Sequence, residues 1–449
     1  VWENEYKIDE PKKVQFPDKN IKITQISCTG NTTIFLTDSS NVYACGGSGP
    51  YVGICDIDRF KVYNRPQKVN ISNIKEIQTT NSLAVLLSDY YYIIKQCDGS
   101  LLSLYPSSLY YFGEDRYGIG GGVKNKYYYK PELFPLLKNN IKDIITEKSL
   151  WIFITMDDKI LYKGSLPAAW DELNFVNLTE SNWTFDSRIK KICIGGQGGA
   201  DAFAIYVLTN SGSLYGLGKR DQGQLGNGRA NNLYEENGVQ TYFSIIESNV
   251  KDFAVGGQFF ICVLNDEDET IRGAGYNLYK PLGTHHNDIL TDSQYVNYIA
   301  TLNDFNSINN IKQISCGWGH TLFLTNDGTL WGAGLNSDGQ LADSLNYRSN
   351  EPTSIREITY FKNLEITIKS IYANNNTSFF ITDDDKVWAC GYNSNGILGT
   401  GSNEFYIVDP EQVQFPDENI KITQISAHTY ITVFLTDSGD VYACGQKKF

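Results

Sequence analysis

Short apolar runs punctuated by turn residues recur along the whole chain. Thr321-Leu322-Phe323-Leu324-Thr325 is followed by Asn326-Asp327-Gly328 and then by Thr329-Leu330-Trp331-Gly332-Ala333-Gly334. Two such runs joined at a Gly-bearing turn predict a β-hairpin, because Gly supplies the positive φ that tight turns demand. An Ile-x-x-Ile segment precedes each pair, and a Gly-rich loop such as Leu335–Leu341 leads on to a Pro-marked strand, Glu351-Pro352-Thr353-Ser354-Ile355. Each unit is therefore expected to be a four-stranded antiparallel meander.

The unit repeats. Val14–Ser27 (VQFPDKNIKITQIS) returns as Val413–Ser426 (VQFPDENIKITQIS), changed only at Lys19 versus Glu418. Weaker copies begin at Ile74, Ile141, Ile189, Val250, Ile311 and Ile368, so with Ile23 and Ile422 there are eight repeat cores, on average 57 residues apart. A repeat of this length cannot bury its own two faces, so stability must come from stacked neighbours. Four strands per unit predict the blades of an all-β propeller, one domain over residues 1–449. The last core stops after Val441–Gly445 without a Pro-marked strand, and the chain begins with one at Pro11–Phe16. That segment is expected to complete the C-terminal unit and close the ring, leaving no exposed sheet edge. Two stretches break the period and are read as irregular insertions, residues 105–131 and 284–307.

Composition agrees with strands and turns: 40 Gly and 30 Tyr against a single Met. The net charge of −13 argues against nucleic acid and against a membrane surface as partners, since both attract Lys and Arg clusters. The opening Val1-Trp2-Glu3-Asn4-Glu5 lacks the basic and apolar regions of a secretory signal, and no long apolar run occurs, so the chain reads as soluble. It begins without Met, which leaves room for preceding residues. Nine cysteines without a Cys-x-x-Cys pair, three of them in Ala-Cys-Gly (Cys45, Cys390, Cys444), read as reduced structural thiols of a cytoplasmic protein.

The loops carry a family resemblance. Leu214-Tyr215-Gly216-Leu217-Gly218, a polar stretch, and Gly223-Gln224-Leu225-Gly226-Asn227-Gly228 resemble the signature of the RCC1 (regulator of chromosome condensation) repeat family, with weaker copies at Trp331–Leu341 and Trp388–Gly401. The resemblance implies an RCC1-like β-propeller of seven blades, against the eight cores counted. It also implies guanine-nucleotide exchange on a small GTPase as one function, through a face with placed acidic and His residues and a protruding hairpin. The family's His before the second strand survives here only as His320.

Candidate chemistry is sparse. Gly391–Gly396 has the spacing of a phosphate-binding loop, but Ile397 and Leu398 stand where Lys and Ser or Thr are required. His285-His286 with Asp288 offers too few converging ligands for a metal. The runs Asp266–Glu269 and Asp383–Asp385 fall at hairpin tips, where solvation accounts for them. No catalytic residues, metal or cofactor are assigned. Binding is expected at Tyr110, Tyr111, Tyr127, Tyr128 and Tyr129, because aromatic side chains bury large areas at small entropic cost; filling an irregular sheet core is the equal alternative. His320 is a further binding candidate, or else a structural histidine at a blade junction. The leading expectation is a non-catalytic scaffold binding other proteins in a larger assembly, cytoskeletal or ciliary in kind. The alternative is an exchange factor for a small GTPase.

Overall fold

The computed structural model describes residues 7–28, 32–46, 63–69, 74–79, 83–88, 93–95, 101–103, 109–115, 126–133, 141–147, 150–155, 158–164, 176–177, 185–195, 204–219, 222–226, 239–257, 260–267, 269–283, 295–302, 308–344, 353–427 and 431–446. Each of the eight repeat cores opens its own four-stranded antiparallel sheet. The Ile311 sheet shows the plan, with an inner strand Ile311–Cys316, a second strand His320–Thr325, a third Leu330–Gly334 and an outer one Thr353–Glu357. The seven blades that the family resemblance implies are thus one fewer than the four-stranded sheets among the described residues.

The second strand is buried at every position in His320–Thr325, Ala204–Thr209, Phe260–Asn265 and Thr377–Thr382. Continuous burial rather than alternation follows when neighbouring sheets cover both faces. The Ile-x-x-Ile spacing has a different cause. In all eight sheets the ladder between inner and second strands slips directly after the first apolar residue, as between Ile311 and Gln313 or between Ile23 and Gln25. One extra residue there forms a β-bulge. It puts Ile311 and Ile314 both into the core, 3 % and 8 % exposed, although they stand three positions apart.

Six of the eight second strands close on a Thr that anchors the hairpin tip. Its hydroxyl accepts the backbone N–H four residues on, at 2.9 Å for Thr37 with Asn41, Thr155 with Lys159 and Thr436 with Asp440. Gly212, Gly328 and Gly439 take positive φ at these tips, the conformation in which a missing Cβ is an advantage.

The sheets join into a closed cycle through their inner strands, whose free edges would otherwise be unpaired. Gln25 satisfies both backbone groups of Ile77 in the next sheet, donating from Nε2 to the carbonyl and accepting the N–H at Oε1, each at 3.1 Å. Gln313 does the same for Ile371 at 2.7 and 3.0 Å. Between the Ile189 and Val250 sheets the work is divided: Lys191 Nζ donates to the Phe253 carbonyl and to Asp252 Oδ1, both at 2.6 Å, while Asp252 accepts the Phe253 N–H at 2.8 Å.

Chain ends meet at the last seam. Lys7–Lys13 forms the outer strand of the Ile422 sheet, with Lys12 opposite Ala443 and Lys13 opposite Tyr442. The Val14 N–H extends the pairing to the Val441 carbonyl at 2.8 Å. The closing strand therefore runs a few residues ahead of the Pro11–Phe16 expected from sequence. Across this seam Gln424 Nε2 reaches the Ile26 carbonyl at 3.5 Å, and Val14, Phe35, Tyr43, Val433 and Val441 share one apolar cluster.

The stretches read as insertions contain regular structure. Leu109–Asp115 and Lys126–Leu133 are the third and outer strands of the Ile74 sheet, and Tyr295–Thr301 is the outer strand of the Val250 sheet. The other residues of 105–131 and nearly all others of 284–307 lie outside the described residues. A separate two-stranded sheet, Ile93–Lys95 with Leu101–Ser103, interrupts the connection after Leu83–Ser88.

Candidate functional site: the rim carrying the glycine-rich loops

In a meander the turn between the first two strands and the loop between the last two emerge at the same end, so these segments share one rim of the ring. Here the loops are built on a recurring Asn. Asn277, Asn336 and Asn393 are buried, and each accepts the N–H of the loop leucine at Oδ1: Leu282 at 3.0 Å, Leu341 at 2.9 Å and Leu398 at 3.1 Å. Their amides donate to the Gly283, Asp343 and Ser402 carbonyls across the same loop. The leucine is driven into the seam; Leu341 and Leu398 pack in one cluster with Phe379, Phe380 and Phe434. The Gly-x-Leu-Gly signature is thus a plug between sheets. Asn was missed as its anchor, although Gly-x-Asn recurs at Gly275, Gly334 and Gly391.

Because the loops are pinned, they present side chains in fixed positions. Tyr276 and Tyr279 meet edge-on with centroids 6.1 Å apart, and Tyr279 lies 5.5 Å from the ring of Trp318 on the adjoining sheet. Leu278 between them is 42 % exposed. The Trp318 backbone is anchored by its N–H, which donates to the Asn375 carbonyl at 2.7 Å. Beside it, Asn376 Nδ2 donates to Asp338 at 2.7 Å; burial holds that carboxyl above its ordinary pKa, and the amide partly counters it. These residues are 39 apart in sequence at Tyr279 and Trp318, and only the ring brings them together.

His320 is fully buried and does not reach this surface. Ser378 in the next sheet donates its proton to the Gln340 carbonyl at 2.6 Å, so its oxygen accepts from His320 Nε2–H at 3.1 Å. Nδ1 has no partner, and burial pushes the imidazole down to about 3. In this structure His320 is a buried residue of the seam between two sheets, neutral at physiological pH. The sign of its linkage follows: the unfolded chain takes up a proton near pH 6.5 and the folded chain resists until about 3, so its stabilisation is full above pH 6.5 and is lost as pH falls. Urea unfolding should show His320→Gln less acid-sensitive than the parent, by about 1.4 kcal/mol per pH unit below ~6.5. Parallel pH profiles would contradict a neutral buried imidazole.

Tyr110 and Tyr111 lie on the third strand of the Ile74 sheet and Tyr127, Tyr128 and Tyr129 on its outer strand, with Gly113 opposite Tyr128 and Glu114 opposite Tyr127. They are not brought to the Tyr279–Trp318 patch by the chain path. His285, His286 and Asp288 are outside the described residues. Among the described residues no group of three or more His, Cys, Asp or Glu is placed to hold a metal ion. Among the described residues no disulfide joins the cysteines, and burial pushes Cys45 and Cys316 up to about 12, far from the thiolate that nucleophilic chemistry uses.

Comparison with known proteins agrees with this architecture. Two models of the regulator of chromosome condensation (RCC1) repeat match, one over residues 311–340 and 368–397 and the other over 384–435. The ultraviolet-B receptor UVR8 of Arabidopsis thaliana is 26 % identical over 259 residues, 58 % of this chain and 53 % of that protein. The secretion-regulating guanine nucleotide exchange factor of Bos taurus is 31 % identical over 176 residues, 38 % of this chain and 34 % of that protein. The chain therefore spans about half or less of the length of these curated relatives. Among solved structures, human WBSCR16 superposes with a TM-score of 0.57 at 17 % identity, covering 90 % of this chain and 96 % of that one. Prp20p of Saccharomyces cerevisiae, described with its binding to Gsp1p and histones, gives 0.51 at 16 % identity, covering 95 % and 83 %. With these repeats, these relatives and this all-β propeller fold, the chain is an RCC1-like repeat protein.

Proposed function

We propose that the chain is a non-catalytic platform that holds a partner protein against the rim bearing Tyr279 and Trp318. The observation that carries this reading is the Tyr276–Tyr279–Trp318 patch, displayed beside the exposed Leu278 on loops pinned by buried Asn side chains. Rigid aromatics lose little entropy on binding and dominate interface energies where they occur. A photo-crosslinker carried at Lys280 tests it in native lysate. The same partner should be trapped repeatedly by the parent chain, with capture falling at least about tenfold in Tyr279→Ala and in Trp318→Ala. Undiminished capture by both variants would refute the assignment to this rim.

The second reading is nucleotide exchange on a small GTPase. It is favoured by the separate two-stranded sheet Ile93–Lys95/Leu101–Ser103, the kind of hairpin that exchange in this family is expected to use. Faster release of fluorescent GDP from a purified GTPase, abolished when residues 93–103 are replaced by a Gly-Ser linker, would establish exchange in place of the platform reading.

A further inference from the structure

The residue that bulges from each inner strand is chemically uniform. It is Lys75, Lys142, Lys190, Lys251, Lys312 and Lys369 in six successive sheets around the cycle, and Thr24 and Thr423 in the two adjacent sheets that meet at the chain ends. A bulge residue has no partner opposite it in the ladder, so pairing does not dictate its identity. Lys190, Lys251, Lys312 and Lys369 are all exposed. The ammonium groups of two of them stay at the inner edge of the ring: Lys190 Nζ lies 2.8 Å from the Lys251 carbonyl and Lys312 Nζ 2.7 Å from the Lys369 carbonyl, each on the next inner strand. These positions open the inner strands, so the lysines stand at the rim opposite Trp318.

Three carboxylates of that rim are engaged by their own turns or by lysines. Asp327 accepts from Thr325 Oγ1 and the Thr329 N–H, Asp384 from Thr382 Oγ1, and Asp385 pairs with Lys369 and Lys421 at 2.7 and 2.9 Å. Lys190 and Lys312, each held by a backbone carbonyl, stand at the mouth of the cycle with the exposed Lys251 between them, in a chain whose net charge is −13.

We infer that this mouth binds a compact polyanion carrying several phosphates, with Lys190, Lys251 and Lys312 as its principal contacts. Ammonium groups arrayed on a curve suit phosphates that project in several directions, and each lysine offers hydrogen-bond donors to phosphate oxygens. The inference is independent of the platform reading, which concerns the other rim.

Titration calorimetry with myo-inositol hexakisphosphate at low salt is the test. The parent chain should bind one equivalent saturably, with affinity falling as salt rises. Lys190→Gln, Lys251→Gln and Lys312→Gln together should weaken binding by about tenfold or more. The triple Arg variant should retain affinity within about threefold, and thermal unfolding reports whether each variant is folded. Lys7→Gln, Lys219→Gln and Lys280→Gln together remove the same net charge from the opposite rim, where outer strands begin and third strands end, and should leave affinity within about twofold. Absent binding by the parent, an equal loss in that control, or tighter binding of a polyglutamate peptide than of the phosphate probe would each overturn the inference.

Discussion

Deleting residues 1–14 is expected to lower the melting temperature by more than about 10 °C and to broaden the transition, because it removes the strand that closes the ring. The deletion strips Lys7–Lys13 from Val441–Gln446, exposes the row of backbone groups that Lys12 and Lys13 now pair, and empties the site of Val14, which is 6 % exposed. An unpaired edge of this kind also invites association with a second chain. A synthetic peptide of residues 5–16 added in trans should recover part of the lost stability. An unchanged melting temperature in the truncated chain would show that the seam holds without its strand.

The second large effect is expected at Gly391. Its φ is +108°, and a Cβ would lie 2.3 Å from the Asn376 carbonyl oxygen and 3.0 Å from the Thr377 Cα. Those are backbone atoms of the paired strand and cannot rotate aside. Gly391→Ala should therefore destabilise the fold by ~3–5 kcal/mol, combining a disfavoured φ with a clash. Gly195→Ala is the comparison: its nearest contacts, at 3.2 Å and beyond, are side-chain atoms of Tyr206 and Val255, and its cost should stay within about 1–2 kcal/mol. Equal urea midpoints for the two variants would mean that the third strand can shift locally to admit a methyl group.

Much of this architecture was legible because a repeat states the same instruction eight times. The apolar second strand, the Gly-bearing tip and the Gly-x-Leu-Gly loop each appear in several copies, so degeneracy in one is corrected by the others. What stayed hidden depends on closure. Apolar residues three apart, as at Ile311 and Ile314, do not fit the period of a regular strand, and only the bulge reconciles them with a sheet. Gln25, Gln313 and Gln424 looked like interchangeable polar residues until a neighbouring inner edge lay within reach. His320 was ambiguous for the same reason: its partner Ser378 is 58 residues away, in the next sheet. The tyrosines at 110–111 and 127–129 were conspicuous by clustering in sequence. The residues that gather on the rim, Tyr279 and Trp318, belong to different repeats and leave no local trace.

The glutamine contacts all run in one sense around the ring, from Gln424 to Ile26, Gln25 to Ile77 and Gln313 to Ile371. The ring therefore has a head and a tail at these seams. A unit that carries such a Gln, duplicated whole, would bring a donor for its successor and an edge ready for its predecessor. Gene-level copying of one repeat could then lengthen the chain without inventing a new junction, and the near-identity of Val14–Ser27 and Val413–Ser426 is the mark such an event would leave.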